Sequence, residues 1–472
     1  MAFVQYLLPC LNPGRLSSHK RHFRTRAALV LAILLATGMG YYYFALLLPR
    51  VHTLRAAQQL GRGFAYGADL YPIWLTGRAL VQEQRDPYTP GMTREIQVGL
   101  YGRALDSSHP GDAPVNYRTF AYPLYADLLA LPLLPLSFLT VQIVLAVVLP
   151  LLVGAMVLGL AKALNLGWSR ETLITSVLLC LSSYPVLEAM YALQPAVLVG
   201  AVLAALALAL VRNRLLLAGS LLAIATIKPQ MILLLALWLL LWSISEWRAR
   251  KSLLIGFVLT LALLLMVCEW MLPAWWREWW HVVAAYRQYT VPPLAGLLLG
   301  QPLGFLAEAA LLGLAAIVGW RMRHEQAGTK GFWLTISLIL TVTVMVLPTG
   351  DAVYDQLALL LPVLLLCSRG VEVLNGSRPL RVVTSLAVGI FLWQFIAASV
   401  ISVVSLVARE WSPSHAVLLL PIRTAASFPA AIFAIVLVLV FFQLFGRRAS
   451  NGLAATVRSA QDTGEGFPIR RG

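Results

Sequence analysis

The chain has 472 residues, of which 60% are hydrophobic and 12% charged, with a mean hydropathy of +0.79. Soluble domains carry about a quarter charged residues, so a soluble globular class is excluded. The net charge of +16 does not indicate nucleic acid, because the lysines and arginines fall in short clusters between apolar runs, as topology signals do. The four cysteines, Cys10, Cys180, Cys268 and Cys367, lie in or beside apolar stretches without metal-ligand spacing and read as buried free thiols.

In chain order, Arg15, Lys20, Arg21, Arg24 and Arg26 precede an apolar run at 27–48 that is too long for a signal-peptide core and reads as an anchor. Further spans are predicted at 138–161, 171–187, 195–211, 215–227, 230–246, 252–271, 303–320, 331–347, 356–367, 382–406 and 424–445. The pattern predicts an all-α polytopic membrane protein, a single bundle of twelve transmembrane helices over residues 1–448. Residues 449–472 are polar and read as a disordered cytoplasmic tail. With the N-terminus inside, most basic residues fall on cytoplasmic connections, among them Lys162, Arg170, Arg248, Arg250 and Lys251. That bias sets orientation and puts both termini in the cytoplasm.

Residues 50–137 are predicted to form one large outer loop with juxtamembrane helices. Asp69 precedes a short helix bearing Leu70, Trp74 and Arg78 on one face. It reads as a helix cap or as a reactive carboxylate at the lipid–water boundary, and the two are compatible. Arg85-Asp86-Pro87-Tyr88 ends that helix, with Asp86 as a turn residue. The segment 122–138 carries Pro123, Pro132 and Pro135 and is expected to be a helix that lies in the outer interface or dips partway into the membrane.

The predicted spans 171–187, 215–227 and 356–367 are short, and their outer ends meet at 184–195, at Lys228-Pro229-Gln230 and at 348–356. Short helices ending below the surface leave a polar cavity recessed into the membrane, where protein or water must cover irregular backbone. Helices begin there after Gln194-Pro195, Lys228-Pro229-Gln230, Gln301-Pro302 and Asp355-Gln356. Proline suits a first helical turn, and the free N–H groups of such turns favour an anion. Lys228 adds a full positive charge. An ionisable residue at that depth is a functional candidate, the other reading being a lysine that snorkels to the surface. Tyr354-Asp355-Gln356, with Asp351, forms a second polar cluster in which Asp355 either caps its helix or contacts substrate. The run Trp275-Trp276-Arg277-Glu278-Trp279-Trp280-His281 reads as an interfacial aromatic belt, and His281 joins a site only if that segment folds over the cavity. No paired metal ligands, Walker loop or Gly-x-Ser-x-Gly elbow occurs, so neither a metal nor a cofactor is expected.

The ordered series Asp69-Leu70-Tyr71-Pro72-Ile73-Trp74, Gly77-Arg78-Ala79-Leu80, Asp86-Pro87-Tyr88, Tyr122-Pro123-Leu124, Gln194, Ile227-Lys228-Pro229-Gln230 and Tyr354-Asp355-Gln356 resembles glycosyltransferase family 87 of the multi-spanning GT-C superfamily. The likeness spans residues 27–367. It implies a polyprenyl-phosphate sugar donor, often polyprenyl-phosphate mannose, with a hexose or pentose passing to an envelope lipid or glycan acceptor. It also implies inversion on the outer face of a bacterial cytoplasmic membrane, with Asp69 as the base. The residues agree with such chemistry. A leaving phosphate needs a cation, which Lys228 and Arg78 supply with Gln230 and the helix N-termini. Tyr71, Trp74, Tyr122, Gln194, Tyr354 and Asp355 then surround the sugar and acceptor. The rival readings are a transporter or lipid flippase and a noncatalytic assembly partner. A transporter would show repeat symmetry and midplane helix breaks, whereas here the polar breaks lie on one side.

Overall fold

The computed structural model describes residues 18–57, 66–106, 108, 112, 117–289, 291–347, 353–369, 376–408, 410–411 and 413–462. Every regular element among them is helical. Six helices are long and apolar enough to cross a bilayer: 23–57, Phe138–Ala163, Trp247–Met271, Gln301–Arg321, Arg378–Val407 and 415–443. A bent pair, Arg170–Leu181 with Tyr184–Tyr191, is a seventh if counted as one span. Five further apolar helices have 10–17 residues: Pro195–Val211, Leu215–Ala225, Pro229–Ser245, Lys330–Val346 and 353–368. Most of the buried side chains form one apolar core, and a smaller cluster packs the first helix against Arg378–Val407. Asp351, Cys10 and residues 463–472 of the expected tail lie outside the described residues. The last helix itself runs from Leu420 to Asp462.

Local sequence explains the breaks that shape one end of the bundle. Between Arg170–Leu181 and Tyr184–Tyr191 the axis bends by 62°. Ser182 and Ser183 turn their hydroxyls back onto the carbonyls of Leu178 and Cys180, at 2.6 and 2.7 Å, and Pro185 follows in the next first turn. Hydroxyls that compete for helix carbonyls, followed by a residue without N–H, end one helix and start another. Pro195 and Pro229 likewise occupy first turns. The first helix carries a π-helical stretch, Tyr42–Leu47, between Ser18–Tyr41 and Leu48–Ala57. Such wide turns often accompany functional sites. Here the stretch buries Tyr42 and Tyr43, and the Tyr43 hydroxyl donates to Glu188 Oε2 at 2.8 Å.

Residues 66–134 hold the helices Tyr71–Glu83, Pro90–Tyr101 and Tyr125–Ala130, the last followed by a 3₁₀ turn, Leu131–Leu133. The interfacial helix expected over 122–138 is therefore broken. Asp86 is a turn residue, its carboxylate accepting the Tyr88 N–H at 2.8 Å, and Thr89 caps the second helix by accepting from Met92 at 3.2 Å.

Leu215–Ala225 and Trp247–Met271 approach most closely at two glycines. A Cβ on Gly219 would fall 1.9 Å from the Leu253 carbonyl oxygen, and one on Gly256 would fall 2.1 Å from that of Leu216. Small residues permit such backbone contact between membrane helices, where packing rather than hydrophobicity drives association. Because the obstructing atoms are backbone, a side chain must push the helices apart. Gly256→Leu is expected to destabilise the protein by about 1–3 kcal/mol, read as a lower melting temperature in detergent. An unchanged melt would show that the two helices do not meet at this point.

Candidate active site

The helix breaks meet around a cavity of about 620 Å³. Its walls include Asp69 and the Arg118–Pro123 strip, Glu188 and Gln194, Lys228-Pro229-Gln230, one face of the Trp275–Tyr286 helix, and Tyr354-Asp355. Two turns set the register. Gly67 has φ +83° and Leu193 φ +52°, and they lie side by side. The Gly67 N–H donates to the Tyr191 carbonyl at 2.9 Å, and the Asp69 N–H donates to that of Ala192 at 3.2 Å. Only glycine adopts the left-handed region without strain, and a Cβ on Gly67 would fall 2.9 Å from Leu193 Cδ1. The pairing places the Asp69 side chain against that of Gln194.

A single hydrogen-bonded chain then crosses the cavity. Arg118 Nη1 donates to Asp69 Oδ1 at 2.5 Å, and Gln194 Nε2 donates to Asp69 Oδ2 at 2.6 Å. Lys228 Nζ donates to Gln194 Oε1 at 3.2 Å and to Asp355 Oδ1, and it lies 4.2 Å from the centroid of the Tyr354 ring. The carboxylates are acceptors only and the ammonium is a donor only, so the direction of every link is determined, including the orientation of the Gln194 amide. Lys228 and Asp355 are each 1% exposed and Asp69 is 9%. The second oxygen of Asp355 has no hydrogen-bond partner.

These contacts bear on the open alternatives. Asp69 does not cap the Tyr71–Glu83 helix, whose N-cap is Leu70 without a side-chain bond. Asp355 pairs with Lys228 inside a 3₁₀ segment, Val353–Leu359, and Lys228 is buried there rather than snorkelling. Gln230, Tyr122 and Tyr354 line the cavity as well.

Three candidates point elsewhere and are not among the lining residues. Tyr71 packs its ring against Phe138 with centroids 5.1 Å apart. The Trp74 indole donates to the Leu136 carbonyl at 3.2 Å. Arg78 lies over the Trp74 ring at 4.9 Å and donates to Gln82 at 3.3 Å. Their shared helix face docks onto the segment that leads into Phe138–Ala163, so conspicuous aromatics here serve packing. The tryptophan run forms the Trp275–Tyr286 helix, with Trp276 and Trp280 exposed. Trp279, Val283 and Tyr286 line the cavity on a different face, while His281 is exposed away from it.

Several lining residues were not singled out in the sequence: Arg118, Arg55, Arg287, Tyr101 and Glu188. Glu188 lies three positions after Pro185 and Arg118 five before Pro123, but spacings of that kind are common along the chain and single out neither. Burial opposes the Arg118 charge, yet the Asp69 carboxylate beside it leaves its pKa raised. Burial, together with the charges of Asp69 and Asp355, pushes the Tyr122 phenol up, so its hydroxyl keeps its proton. A carboxylate held between a guanidinium and an amide can still accept another hydrogen bond, since its two oxygens offer about four lone-pair sites. Chemically, the cavity can take a proton from a hydroxyl at Asp69 and hold an anion near cationic groups.

The sequence model of glycosyltransferase family 87 matches residues 120–348. Over that stretch the chain is similar to glycosyltransferase family 87. The all-helical fold fits the GT-C superfamily to which the motif order was likened, and the family indicates a membrane glycosyltransferase. Within the family 87 region lie Tyr122, Gln194, Lys228 and Gln230. Asp69, Arg118 and Asp355 lie outside it in sequence and are joined to it by the hydrogen-bonded chain. No curated protein and no solved structure matches the chain.

Proposed function

We propose that the protein transfers a sugar, with inversion, from a polyprenyl-phosphate donor to an envelope lipid or glycan acceptor, at an outer-face cavity of a twelve-span bundle with cytoplasmic termini. What carries the reading is that Asp69 and Lys228, read separately from the sequence, line one cavity and are bridged by the Gln194 side chain. The clustering of basic residues on the opposite connections supports the outer-face placement. A donor anchored by its lipid requires a site at headgroup level, which helices that stop short of a full crossing supply.

In this mechanism the acceptor hydroxyl oxygen forms a bond to the anomeric carbon as the carbon–phosphate oxygen bond breaks. The electron pair leaves with the phosphate, which departs as polyprenyl phosphate, and the hydroxyl proton passes to Asp69. Direct displacement needs one carboxylate as base; retention would require a second as nucleophile. Glu188 is held by the Tyr43 hydroxyl. Tyr122, Gln194, Tyr354 and Asp355 surround the sugar and acceptor hydroxyls. No metal or cofactor takes part in this scheme. The family match favours this reading over a transporter or flippase.

Purified protein incubated with labelled polyprenyl-phosphate sugars, mannose first, and a lipid acceptor tests it directly. Label is expected in the acceptor with release of polyprenyl phosphate. Folded protein that moves no label from any such donor overturns the proposal.

A further inference from the structure

On the reading that the donor is a polyprenyl-phosphate sugar, we propose that its phosphate is held by Arg55 and Arg118, on the first-loop side of the cavity, and that Lys228 with Asp355 grips sugar hydroxyls instead.

The buried end of the chain cannot readily hold a second anion. Lys228 has three N–H donors, and its nitrogen already faces Gln194 Oε1, Asp355 Oδ1 and the Tyr354 ring. Its charge is balanced by Asp355, and both groups are 1% exposed. The Asp355 oxygen left without a partner is an acceptor beside that pair. A phosphate brought there would meet a carboxylate as well as an ammonium. A neutral hydroxyl suits the same place better, donating to Asp355 Oδ2 and relieving a buried acceptor that otherwise costs free energy.

The opposite wall adds a further cation to its ion pair, since Arg118 is paired with Asp69 and Arg55 stands beside them. Arg55, in the last turn of Leu48–Ala57, and Arg118 both line the cavity, with Tyr101 also in that wall. Tyr101 hydrogen-bonds Arg118 and interacts electrostatically with Arg55. Arg55 and Arg118 carry like charge and interact across this wall. Two guanidinium groups that repel each other in a partly buried wall are stabilised by an anion between them. Arg118 gives Nη1 to Asp69, but a guanidinium offers five donors in a planar fork, and its side chain is 27% exposed. Guanidinium pairs phosphate in bidentate fashion where an ammonium acts as a point charge. Arg118 then touches both the base and the leaving group, which ties donor binding to the placement of Asp69.

The test measures binding of a fluorescent short-chain polyprenyl phosphate, without sugar, to the full-length protein in detergent, against the matching unphosphorylated polyprenol. The wild type is expected to prefer the phosphate. Arg55→Gln is expected to weaken polyprenyl-phosphate binding by about 10-fold or more and to leave polyprenol binding unchanged. Arg118→Lys, which keeps a charge beside Asp69, should lose affinity in the same direction. Lys228→Met combined with Asp355→Leu should bind the sugar-free probe within about threefold of wild type, a shift of less than one hydrogen bond. Wild-type affinity in Arg55→Gln, or loss of phosphate preference in the Lys228/Asp355 double variant, overturns the assignment and leaves the donor class standing. A wild type that does not discriminate phosphate from polyprenol overturns the donor class and this assignment with it.

Discussion

Asp69→Asn is expected to lower sugar transfer by about 10²–10⁴-fold, the usual contribution of a positioned general base, while the protein still folds and still binds donor. The amide nearly matches the carboxylate in shape but cannot take a proton from the acceptor. It also disturbs the chain in a definite way. Asp69 accepts from Arg118 on one oxygen and from Gln194 on the other. An asparagine has one oxygen and one NH₂, so either Arg118 or Gln194 must face a donor. Gln194 cannot rotate its amide to relieve this, because its oxygen accepts from Lys228. One buried donor is then left unsatisfied, which costs about 1–3 kcal/mol. A moderate fall in melting temperature should therefore accompany the loss of turnover. Single-turnover transfer of labelled sugar at saturating donor, beside a thermal melt, separates the two effects. Near-normal turnover in Asp69→Asn would remove Asp69 from the role of base.

The legible parts of this site share a physical signature. Asp69, Gln194, Lys228 and Asp355 are polar residues at helix breaks in a chain that is otherwise apolar, and such residues are costly enough in a membrane protein to stand out. The breaks themselves were visible as proline at first turns and as short apolar runs. Packing was harder to read. Tyr71 and Trp74 belong to the same motif as Asp69, yet a helix places successive residues 100° apart, and their faces meet Phe138 and Leu136 rather than the cavity. Arg118 and Arg55 escaped notice because solvent-facing arginines are ordinary in a long polar segment, and nothing local reveals that one of them pairs with a carboxylate 49 positions away. The tryptophan run was read by composition as a belt. Trp276 and Trp280 are exposed as a belt requires, but Trp279 donates to the Ala121 carbonyl at 3.1 Å and closes the cavity wall.

Single removal of either member of the Lys228–Asp355 pair is expected to be the most destabilising change in the site. Breaking a buried ion pair from one side leaves an uncompensated charge and costs about 3–5 kcal/mol. Lys228→Met strands the Asp355 carboxylate, which already has one oxygen without a partner, and it takes a donor from Gln194. Asp355→Leu strands the ammonium against the Tyr354 ring and one amide oxygen. Removing both charges together avoids that penalty, because replacing a buried pair with apolar groups of similar volume is often neutral or stabilising. Chemical or thermal unfolding in detergent should therefore show strong non-additivity: two unstable single variants and a double variant that recovers most of the loss, short of the wild type by the donor that Gln194 Oε1 no longer has, about 1–3 kcal/mol. The double variant is still expected to lose sugar transfer, since its apolar end offers no acceptor to a sugar hydroxyl. Single variants that melt with the wild type would mean that water or another ion reaches the pair, and the dry, directional chain from Arg118 to Asp355 would not hold.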